Sequence, residues 1–420
     1  MRKIITNIGL LAGIHPRDCL RLQGREMQET GAISQAWLSI DDDRISGFGA
    51  METLDRQQDQ GPDGSHDGTT IIDARGGCVL PCWCDPHTHL VYAGSREIEY
   101  IDKIRGLSYD QIAKRGGGIL NSAKRVQEAS EQQLYDDAMA RLEQIIRFGT
   151  GAVEIKSGYG MTPEAELKML HVIRRLRENS PLTIRATLLG AHGIPMEYRG
   201  CQERFVDLVI EKMIPQAADE GLADFIDVFC DEGFFTVEDT DRMLEAGARY
   251  GMRPKIHANE LACSGGIQCA VRHHALSCDH LEFTGEEEIQ CLLGSDTMPT
   301  VLPGAAFFLN MQHAPVRRMM EAGLPVAMAS DFNPGSSPSG NMQLVLSFAC
   351  VNYRMLPEEA INATTINSGY AMGVSDQLGS IAVGKKANFY LTTPIPTYEY
   401  LPYAYGENKV SRTFLNGVEV

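Results

Sequence analysis

Residues 76–89 read GGCVLPCWCDPHTH, an apolar run that ends in two histidines separated by one residue. In an extended strand, successive side chains point to opposite faces, so His87 and His89 point to the same face. Two imidazoles that leave the end of a buried strand together form half of a typical metal site. A chance spacing is the alternative, and the rest of the chain decides between the two interpretations.

Seven more strand-like segments follow this one, and segments with helix signals separate them. In residues 162–179, for example, Thr162 suits the N-cap and Pro163 suits the first helical position. Eight strands that alternate with helices predict an α/β fold, a (β/α)8 TIM barrel. The alternative is a doubly wound open sheet, which expects a glycine fingerprint after its first strand, and GGGIL at 116–120 does not match one. The predicted strand segments are residues 77–89, 151–160, 184–192, 225–233, 253–260, 275–282, 298–308 and 325–335.

The two ends of the chain differ from the middle. Residues 1–75 contain strand-like runs punctuated by glycine and aspartate, and strand character returns in GSIAVGKKANFYLTT and KVSRTFLNGVEV near the end. We therefore predict a small β-sandwich-like domain formed by residues 1–78 and 376–420, and a catalytic barrel over residues 79–375. The polar residues 55–70 are predicted to form a loop.

Composition and charge exclude several classes of protein. The chain is 43% hydrophobic and 22% charged, and no apolar run approaches the roughly 18–20 residues of a membrane span. A formal net charge of −17 argues against a nucleic-acid partner. Eleven scattered cysteines, without a signal-peptide pattern, predict a reducing, cytoplasmic location. Cys82 and Cys84 are interpreted as buried strand residues rather than thiolate ligands, because no second cysteine pair completes a zinc set.

Polar residues gather at the ends of the predicted strands, where a barrel of this type carries its active site. Among them, His87, His89, His257 and Asp331 give three imidazoles and one carboxylate. This set suits zinc, or iron as a second choice, with one position left for water. No lysine ends the fourth strand, and Lys156 lies on the second, so we expect one Zn²⁺ (or Fe²⁺/Fe³⁺) per chain. The strand ends carry His87 and His89, His192, His257 with Glu260, Asp279 and His280, and Asp331.

Nine motifs together resemble a known family across nearly the whole length of the chain. They are DPHTHLVYAGSRE, GGGI, EIKSGYG, GAHGIP, DVFCDEG, IHANE, DHLE, LPGAAFFL and SDFNPGSSP. The chain resembles the amidohydrolase superfamily and, within it, the imidazolonepropionase family. The resemblance implies a metal-dependent TIM barrel that hydrolyses the cyclic amide of 4-imidazolone-5-propanoate to N-formimino-L-glutamate, the third step of histidine degradation. It implies a small-molecule substrate and allows a homodimer, although no sequence feature shows one.

The resemblance also implies roles for individual residues. The family's metal ligands fall on the four residues chosen above, and His280 matches a second catalytic candidate beside Glu260. The metal ligands are His87, His89, His257 and Asp331, and the substrate-contacting positions are Arg96, Tyr159, His192, Glu260, Asn333, Gly335 and Ser336.

Opening a cyclic amide requires a base, stabilisation of the oxyanion and a proton for the leaving nitrogen. Glu260 can take the proton of water and pass it to nitrogen, and His280 is the alternative base. His192 or His280, with the metal, can hold the oxyanion. Arg96 matches the carboxylate tail of the substrate, and the alternative for it is a salt bridge to Glu97 or Glu99.

Further expectations concern the loops near the site and the rival functions. NPGSSP at 333–338 is suited to hold the ring through backbone N–H groups and hydroxyls. The glycine-rich stretch 116–119 is predicted to close over the substrate. One rival function is another cyclic amidase or a deaminase of the same superfamily, and another is a metal-free scaffold. The intact set of strand-end residues argues against a scaffold, and Arg96 and Tyr159 argue against a neutral purine.

Overall fold

The structure is a computed structural model that describes residues 2–54, 68–107 and 117–420. Most of the polar segment predicted as a loop, residues 55–67, lies outside the described residues. The first residue of the glycine-rich stretch at 116–119 lies outside them as well.

Both ends of the chain form a sheet that is separate from the barrel sheet and packs against it, for example through Tyr390 on Trp83. The strand order of the sheet from the chain ends is β16-β15-β14-β5-β1-β2-β3, and β4 pairs with β1. The strands enclose a cluster of buried apolar side chains in which Phe389 stacks on Phe414, with ring centroids 4.8 Å apart. The strand β5 ends at Pro81, so this sheet continues past residue 78, the predicted limit of the small domain. The limits of the two domains remain a prediction. The strands are β1 (Arg2–Ile14), β2 (Gly31–Asp41), β3 (Arg44–Ala50), β4 (Thr70–Asp73), β5 (Cys78–Pro81), β14 (Phe389–Thr392), β15 (Val410–Leu415) and β16 (Val418–Glu419).

The second sheet holds eight strands in sequential order, and every neighbouring pair is parallel. A parallel bridge between Thr88 and Phe332 joins the first strand segment to the last, which closes the barrel as predicted. Strands buried on both faces are mainly apolar, and this explains why each was visible in the sequence, although a few buried charged residues such as Lys156 and Asp227 interrupt the apolar runs. The strands are β6 (Trp83–Asp85), β7 (Thr150–Lys156), β8 (Thr183–Ala191), β9 (Phe225–Cys230), β10 (Arg253–Ala258), β11 (Ser277–His280), β12 (Met298–Val301) and β13 (Ala327–Met328).

Helices separate the barrel strands and cover them. In the helix Pro163–Asn179, the side chain of Thr162 caps the first turn and Pro163 opens it, as the sequence predicted. The segment 298–308 was predicted as one strand and is a strand only to Val301, because Pro303 begins a helix. The α-helices are Glu97–Ile104, Ile119–Glu128, Glu131–Arg147, Pro163–Asn179, Gln202–Leu208, Ile214–Asp219, Val237–Arg249, Gly266–Arg272, Glu286–Leu292, Pro303–Leu309, Val316–Glu321, Met342–Asn352, Pro357–Thr364, Ile366–Ala371 and Tyr400–Tyr403.

Short 3₁₀ and π segments complete the helical structure. The 3₁₀ segments are Gly24–Gln28, Met51–Thr53 and Met196–Tyr198, and Val209–Met213 forms a π-helical turn. Among the helices in the described ranges, none has both the length and the apolar character that crossing a membrane requires.

Candidate active site

The carboxyl ends of the barrel strands surround a cavity of about 440 Å³. This is the end of a (β/α)8 barrel at which active sites lie. Of the residues that the sequence singled out for the site, His87 is fully buried and does not reach the cavity wall. The others line the cavity: His89, Arg96, Tyr159, His192, His257, Glu260, His280, Asp331, Asn333, Gly335 and Ser336.

The four residues expected to bind a metal lie together at one point of this site. His87 Nε2 lies 3.3 Å from His89 Nε2 and 3.6 Å from Asp331 Oδ1. His89 Nε2 lies 3.8 Å from the same oxygen. The ring of His257 lies 4.4 Å from the ring of His87, centroid to centroid. His192 also reaches the cluster, because its ring stacks on His89 at 4.6 Å.

The electronic state of this cluster fits a metal ion. Within the described part of the chain, Nε2 of His257 is buried and has no hydrogen-bond partner. Burial lowers the pKa values of His87 and His89 well below the usual value of histidine. The charge of Lys156 lowers the pKa of His87 further, and His192 lowers that of His89. These rings are therefore neutral, with a lone pair for a ligand. Buried polar atoms without partners cost free energy, and neutral imidazoles with a carboxylate are ligands of zinc and iron.

Two carboxylates lie behind the histidines, on the side away from the cluster. His87 Nδ1 lies 2.7 Å from Asp279 Oδ2, and His257 Nδ1 lies 3.0 Å from Asp227 Oδ2. A carboxylate at Nδ1 keeps the ring proton on that nitrogen, and Nε2 is then free to bind metal. Asp279 therefore fixes the orientation and tautomer of His87, and Asp227 lies within ion-pair distance of the Nδ1 of His257.

A network of buried charges holds these carboxylates in place. Lys156 Nζ lies 2.7 Å from both Glu154 Oε1 and Asp227 Oδ2, and 3.6 Å from Asp279 Oδ2. Lys255 forms a second ion pair with Glu154. All side chains of this network are fully buried: Glu154, Lys156, Asp227, Lys255 and Asp279. Three carboxylates against two lysines leave one negative charge, which favours a cation at the histidines. Lys156 is engaged in these ion pairs.

We predict that Asp279→Asn weakens metal binding about 10- to 100-fold, because the amide no longer fixes the proton on His87 Nδ1. Titration of the metal-free protein with Zn²⁺ against a competing chelator measures the affinity. Asp296→Asn is the matched control, because its side chain is 84% exposed and pairs with Arg21 on the surface. Equal affinities of the two variants would show that Asp279 has no role in metal binding.

The loop after β10 places Glu260 in the cavity. Asp231 Oδ2 accepts hydrogen bonds from the backbone N–H groups of Glu260 at 2.7 Å and Leu261 at 2.9 Å. Asn259, just before Glu260, has a φ of 56°, which asparagine tolerates better than most residues. Burial raises the pKa of Glu260 to about 8, and the charges of Asp331 and Asp231 add to the effect. A carboxyl group with a pKa near neutrality is suited to proton transfer.

His280 stands between two buried carboxylates. Its Nδ1 lies 3.5 Å from Glu260 Oε2 and 3.9 Å from Glu282 Oε2. His280 and Leu281 have φ values of 84° and 75°, which side-chain-bearing residues rarely adopt and which are typical of functional sites. Burial and the charge of Glu260 raise the pKa of Glu282 well above its usual value. His280 and Glu260 are thus close enough to act on the same proton.

Arg96 lines the cavity and is also ion-paired. Its Nε lies 2.7 Å and its Nη2 lies 2.6 Å from Glu99 Oε2. Of the two alternative partners predicted from the sequence, Glu99 is therefore the one in contact, and Glu97 accepts a hydrogen bond from Ser95 instead. Arg96 packs against Gly335, where a Cβ would lie 2.2 Å from Nη1. A side chain at 335 would therefore displace the guanidinium of Arg96 from its present position.

Tyr159 and His192 form the opposite wall of the cavity, and their rings lie 5.4 Å apart. The loop that carries Tyr159 is held by Glu166, whose carboxylate accepts hydrogen bonds from the backbone N–H groups of Gly158 at 2.9 Å and Gly160 at 2.6 Å. Burial and the neighbouring His257 lower the pKa of His192 to about 3. His192 is therefore a neutral ring that can donate or accept a hydrogen bond.

The turn after β13 is organised by the side chain of Asn333. Its Oδ1 accepts hydrogen bonds from the backbone N–H groups of Gly335 at 2.7 Å and Ser336 at 2.8 Å. These N–H groups were expected to face the substrate, and they are used inside the turn because an asparagine side chain reaches its own following backbone. Ser336 Oγ donates to Asp331 Oδ2 at 2.9 Å, so the turn also orients an expected metal ligand.

Several residues of the site were not assigned a role by sequence reasoning. Asp227 and Asp231 lie inside and at the end of β9, and Glu282 follows β11. The sequence did contain a signal for them, namely charged residues within or next to apolar strand segments. Such residues are rarely buried without a partner, so they indicate a buried polar site. The sequence does not say which partner each one has.

The comparisons with known proteins agree with this geometry. Residues 78–420 match the model of the Amidohydrolase family. Curated imidazolonepropionases from Christiangramia forsetii and Flavobacterium johnsoniae are each 50% identical to the chain over 417 residues, which is 99% of this chain and 99% of each relative.

Among solved structures, 5-methylcytosine deaminase from Klebsiella pneumoniae superposes with a TM-score of 0.74 at 15% sequence identity. The match covers 100% of this chain and 97% of that chain. At this identity, the likeness supports the barrel fold alone.

Proposed function

The chain belongs to the amidohydrolase family and, within it, to the imidazolonepropionases, and on this premise we propose how its strand-end residues act. The enzyme hydrolyses the cyclic amide bond of 4-imidazolone-5-propanoate and gives N-formimino-L-glutamate, a step of histidine degradation. The observation that carries the assignment of roles is a single cavity that joins a metal-ligand cluster, a buried carboxyl group and an arginine. Another cyclic amidase or deaminase is not favoured, because relatives of 50% identity over the full length are imidazolonepropionases.

We assign the metal to His87, His89, His257 and Asp331, one Zn²⁺ or iron ion per chain. The close approach of His89 Nε2 to His87 Nε2 and Asp331, the unpartnered Nε2 of His257 and the carboxylates behind the rings support this assignment. When bound, the metal lowers the pKa of a water molecule and makes it nucleophilic near neutral pH. Of the two metals we favour zinc, because three nitrogen ligands and one oxygen ligand suit it.

Glu260 is the proposed general base and acid. In the first half of the reaction its carboxylate takes a proton from the attacking water, and in the second half it gives this proton to the ring nitrogen as the amide C–N bond breaks. No net proton is consumed by the residue. His280 lies 3.5 Å from Glu260 and is the alternative carrier of this proton.

The other cavity residues hold the substrate. His192 or His280 can donate a hydrogen bond to the oxygen of the amide as negative charge develops on it. Arg96 and Tyr159 are assigned to the propanoate tail, and Asn333, Gly335 and Ser336 are assigned to the face of the ring. Their position on the cavity wall supports these assignments.

The function is tested by following the loss of imidazolone absorbance in the presence of the purified, metal-loaded enzyme. We expect turnover of 4-imidazolone-5-propanoate and no turnover of guanine or of a hydantoin. Turnover of guanine with no loss of the imidazolone would contradict the assignment.

We predict that Arg96→Ala lowers kcat/KM on the order of 10²-fold and leaves the metal content unchanged, because a charge-assisted contact to the tail is lost. Arg105→Ala is the control, because Arg105 is exposed at the end of the helix Glu97–Ile104. If kcat/KM of the Arg96 variant equals that of the control, the ion pair with Glu99 is the whole role of Arg96.

We also propose a homodimer and a cytoplasmic location. Exposed apolar side chains such as Ile104, Val351 and Tyr403 offer surface for a second copy. All eleven cysteines lie in the described ranges as free thiols, which supports a reducing compartment. Sedimentation velocity tests the dimer, and a mass of one chain at micromolar concentration would contradict it.

A further inference from the structure

One corner of the cavity carries two cations on the same helix. Arg96 precedes the helix Glu97–Ile104, and Lys103 lies in its last turn, and both line the cavity. Both also meet Gly335 across the cavity rim. Lys103 Nζ donates to the backbone oxygen of Gly335 at 3.4 Å, and Arg96 Nη1 occupies the space where a Gly335 side chain would stand.

The charge of Arg96 is already compensated in this structure. Glu99 accepts both of its contacts, and Glu99 is in turn fixed by the backbone N–H of Gly118 at 3.0 Å and by Asn121 Nδ2 at 3.4 Å. Glu99 thus connects the helix and Arg96 to Gly118 and Asn121. Taken together, Arg96 and Glu99 have no net charge with which to attract an anion.

Lys103 supplies the charge that the Arg96–Glu99 pair lacks. In the described part of the chain, the charged groups that act on Lys103 are Arg96 and Glu99, which oppose each other. Burial lowers the pKa of Lys103, and Arg96 lowers it further, while Glu99 raises it. A half-buried ammonium whose hydrogen bond to a carbonyl oxygen is as long as 3.4 Å gains free energy when an anion arrives beside it.

We infer that Lys103 is a second anchor for the carboxylate of the substrate tail, and that it acts beside Arg96. The inference rests on the proposed function, because that function gives the substrate one negative charge. With this carboxylate bound, two cations face two carboxylates and the corner is neutral. The overall charge of −17 makes such a local pair of cations necessary for an anionic substrate. Lys103 thereby contributes to selection of an acid over a neutral analogue.

The test compares Lys103→Met with the unmodified enzyme on two substrates. Methionine keeps the length and packing of the stem and removes the charge. We expect KM for 4-imidazolone-5-propanoate to rise roughly 10- to 10²-fold, with kcat changed by less than about twofold, because the tail is remote from the bond that breaks. For the methyl ester of the substrate, which has a neutral tail, we expect the same KM with and without Lys103.

Two further variants complete the test. Lys103→Arg keeps the charge and should recover most of the affinity, which a purely structural role in packing against Gly335 would not explain. Lys124→Met is the matched control, because Lys124 is exposed on the helix Ile119–Glu128 and pairs with Glu128 at 3.8 Å. It should leave both KM values unchanged.

The outcomes separate this inference from the proposed function. If Lys103→Met keeps the KM of the unmodified enzyme for the acid, or raises KM equally for the acid and the ester, Lys103 does not bind the tail. If the unmodified enzyme fails to consume 4-imidazolone-5-propanoate at all, the proposed function is wrong, and the inference is overturned with it. Unfolding curves that match the unmodified enzyme confirm that the variants are folded.

Discussion

Replacement of Glu260 by glutamine is expected to lower kcat by roughly 10²- to 10⁴-fold, the usual contribution of a general base. Glutamine keeps the shape and the hydrogen-bonding reach of glutamate but cannot accept the proton. The proposed metal ligands are other residues, so the metal content should stay unchanged. Substrate binding should also persist, because the remaining cavity wall is intact. Steady-state kinetics together with metal analysis measures both effects.

The pH profile gives a second readout of the same variant. Burial raises the pKa of Glu260 to about 8. The positive charge of a bound metal would lower this pKa. A general base must be deprotonated, so kcat/KM should rise with pH along an acidic limb at or below about pH 8. Glu260→Gln should lose this limb.

Glu232→Gln is the control for Glu260→Gln, because Glu232 is exposed and lies in the neighbouring strand-end loop. It should behave as the unmodified enzyme. If Glu260→Gln turns over near the parental rate, Glu260 is only a substrate contact. His280, which lies 3.5 Å away, would then be the base, and His280→Ala should show the large loss instead.

His257→Ala is expected to lose most of the bound metal and, with it, nearly all activity. His257 Nε2 is a buried nitrogen without a partner among the described residues, and Asp227 lies within ion-pair distance of the Nδ1 of the same ring. Removing one of the four proposed ligands lowers the affinity of the site for the metal and disturbs its coordination geometry. The purified parent should contain about one zinc or iron per chain by elemental analysis, and the variant much less.

His171→Ala is the control for this variant. His171 lies in the middle of the helix Pro163–Asn179, and its Nε2 lies 2.8 Å from Glu220 Oε2. It should keep the full metal content. Two tightly held metals per parental chain, or a His257 variant with undiminished metal, would show that the ligand set is wrong.

Much of the barrel and of its site was predictable from local sequence. Most residues of the barrel strands are buried and apolar, with a few buried charges among them, and several of the helices between the strands show a cap or a proline at their start. The active end of such a barrel is known, so polar residues at strand ends indicate a site before any contact is known. His87, His89 and His257 were recognised in this way.

Local sequence could not predict the loop and helix contacts of the substrate pocket. Arg96 had two glutamates within three residues, and only the geometry of the helix Glu97–Ile104 selects Glu99. The turn that follows β13 was expected to offer N–H groups to the substrate, and the Asn333 side chain takes them instead. Such choices depend on side-chain direction, which the order of residues does not specify.

By itself, the sequence determined the order of strands and helices, the family and the set of residues at the strand ends. Only the tertiary structure decided which buried groups meet. Asp279 lies 192 residues from His87, Lys255 lies 101 residues from Glu154, and these pairs form only when closure and register of the barrel bring distant strands side by side. Periodicity and burial are properties of one segment, which its own residues encode. A contact between segments depends on the packing of the whole chain, and this is why the charge network beneath the histidines and the place of Lys103 beside Gly335 are seen only in the fold.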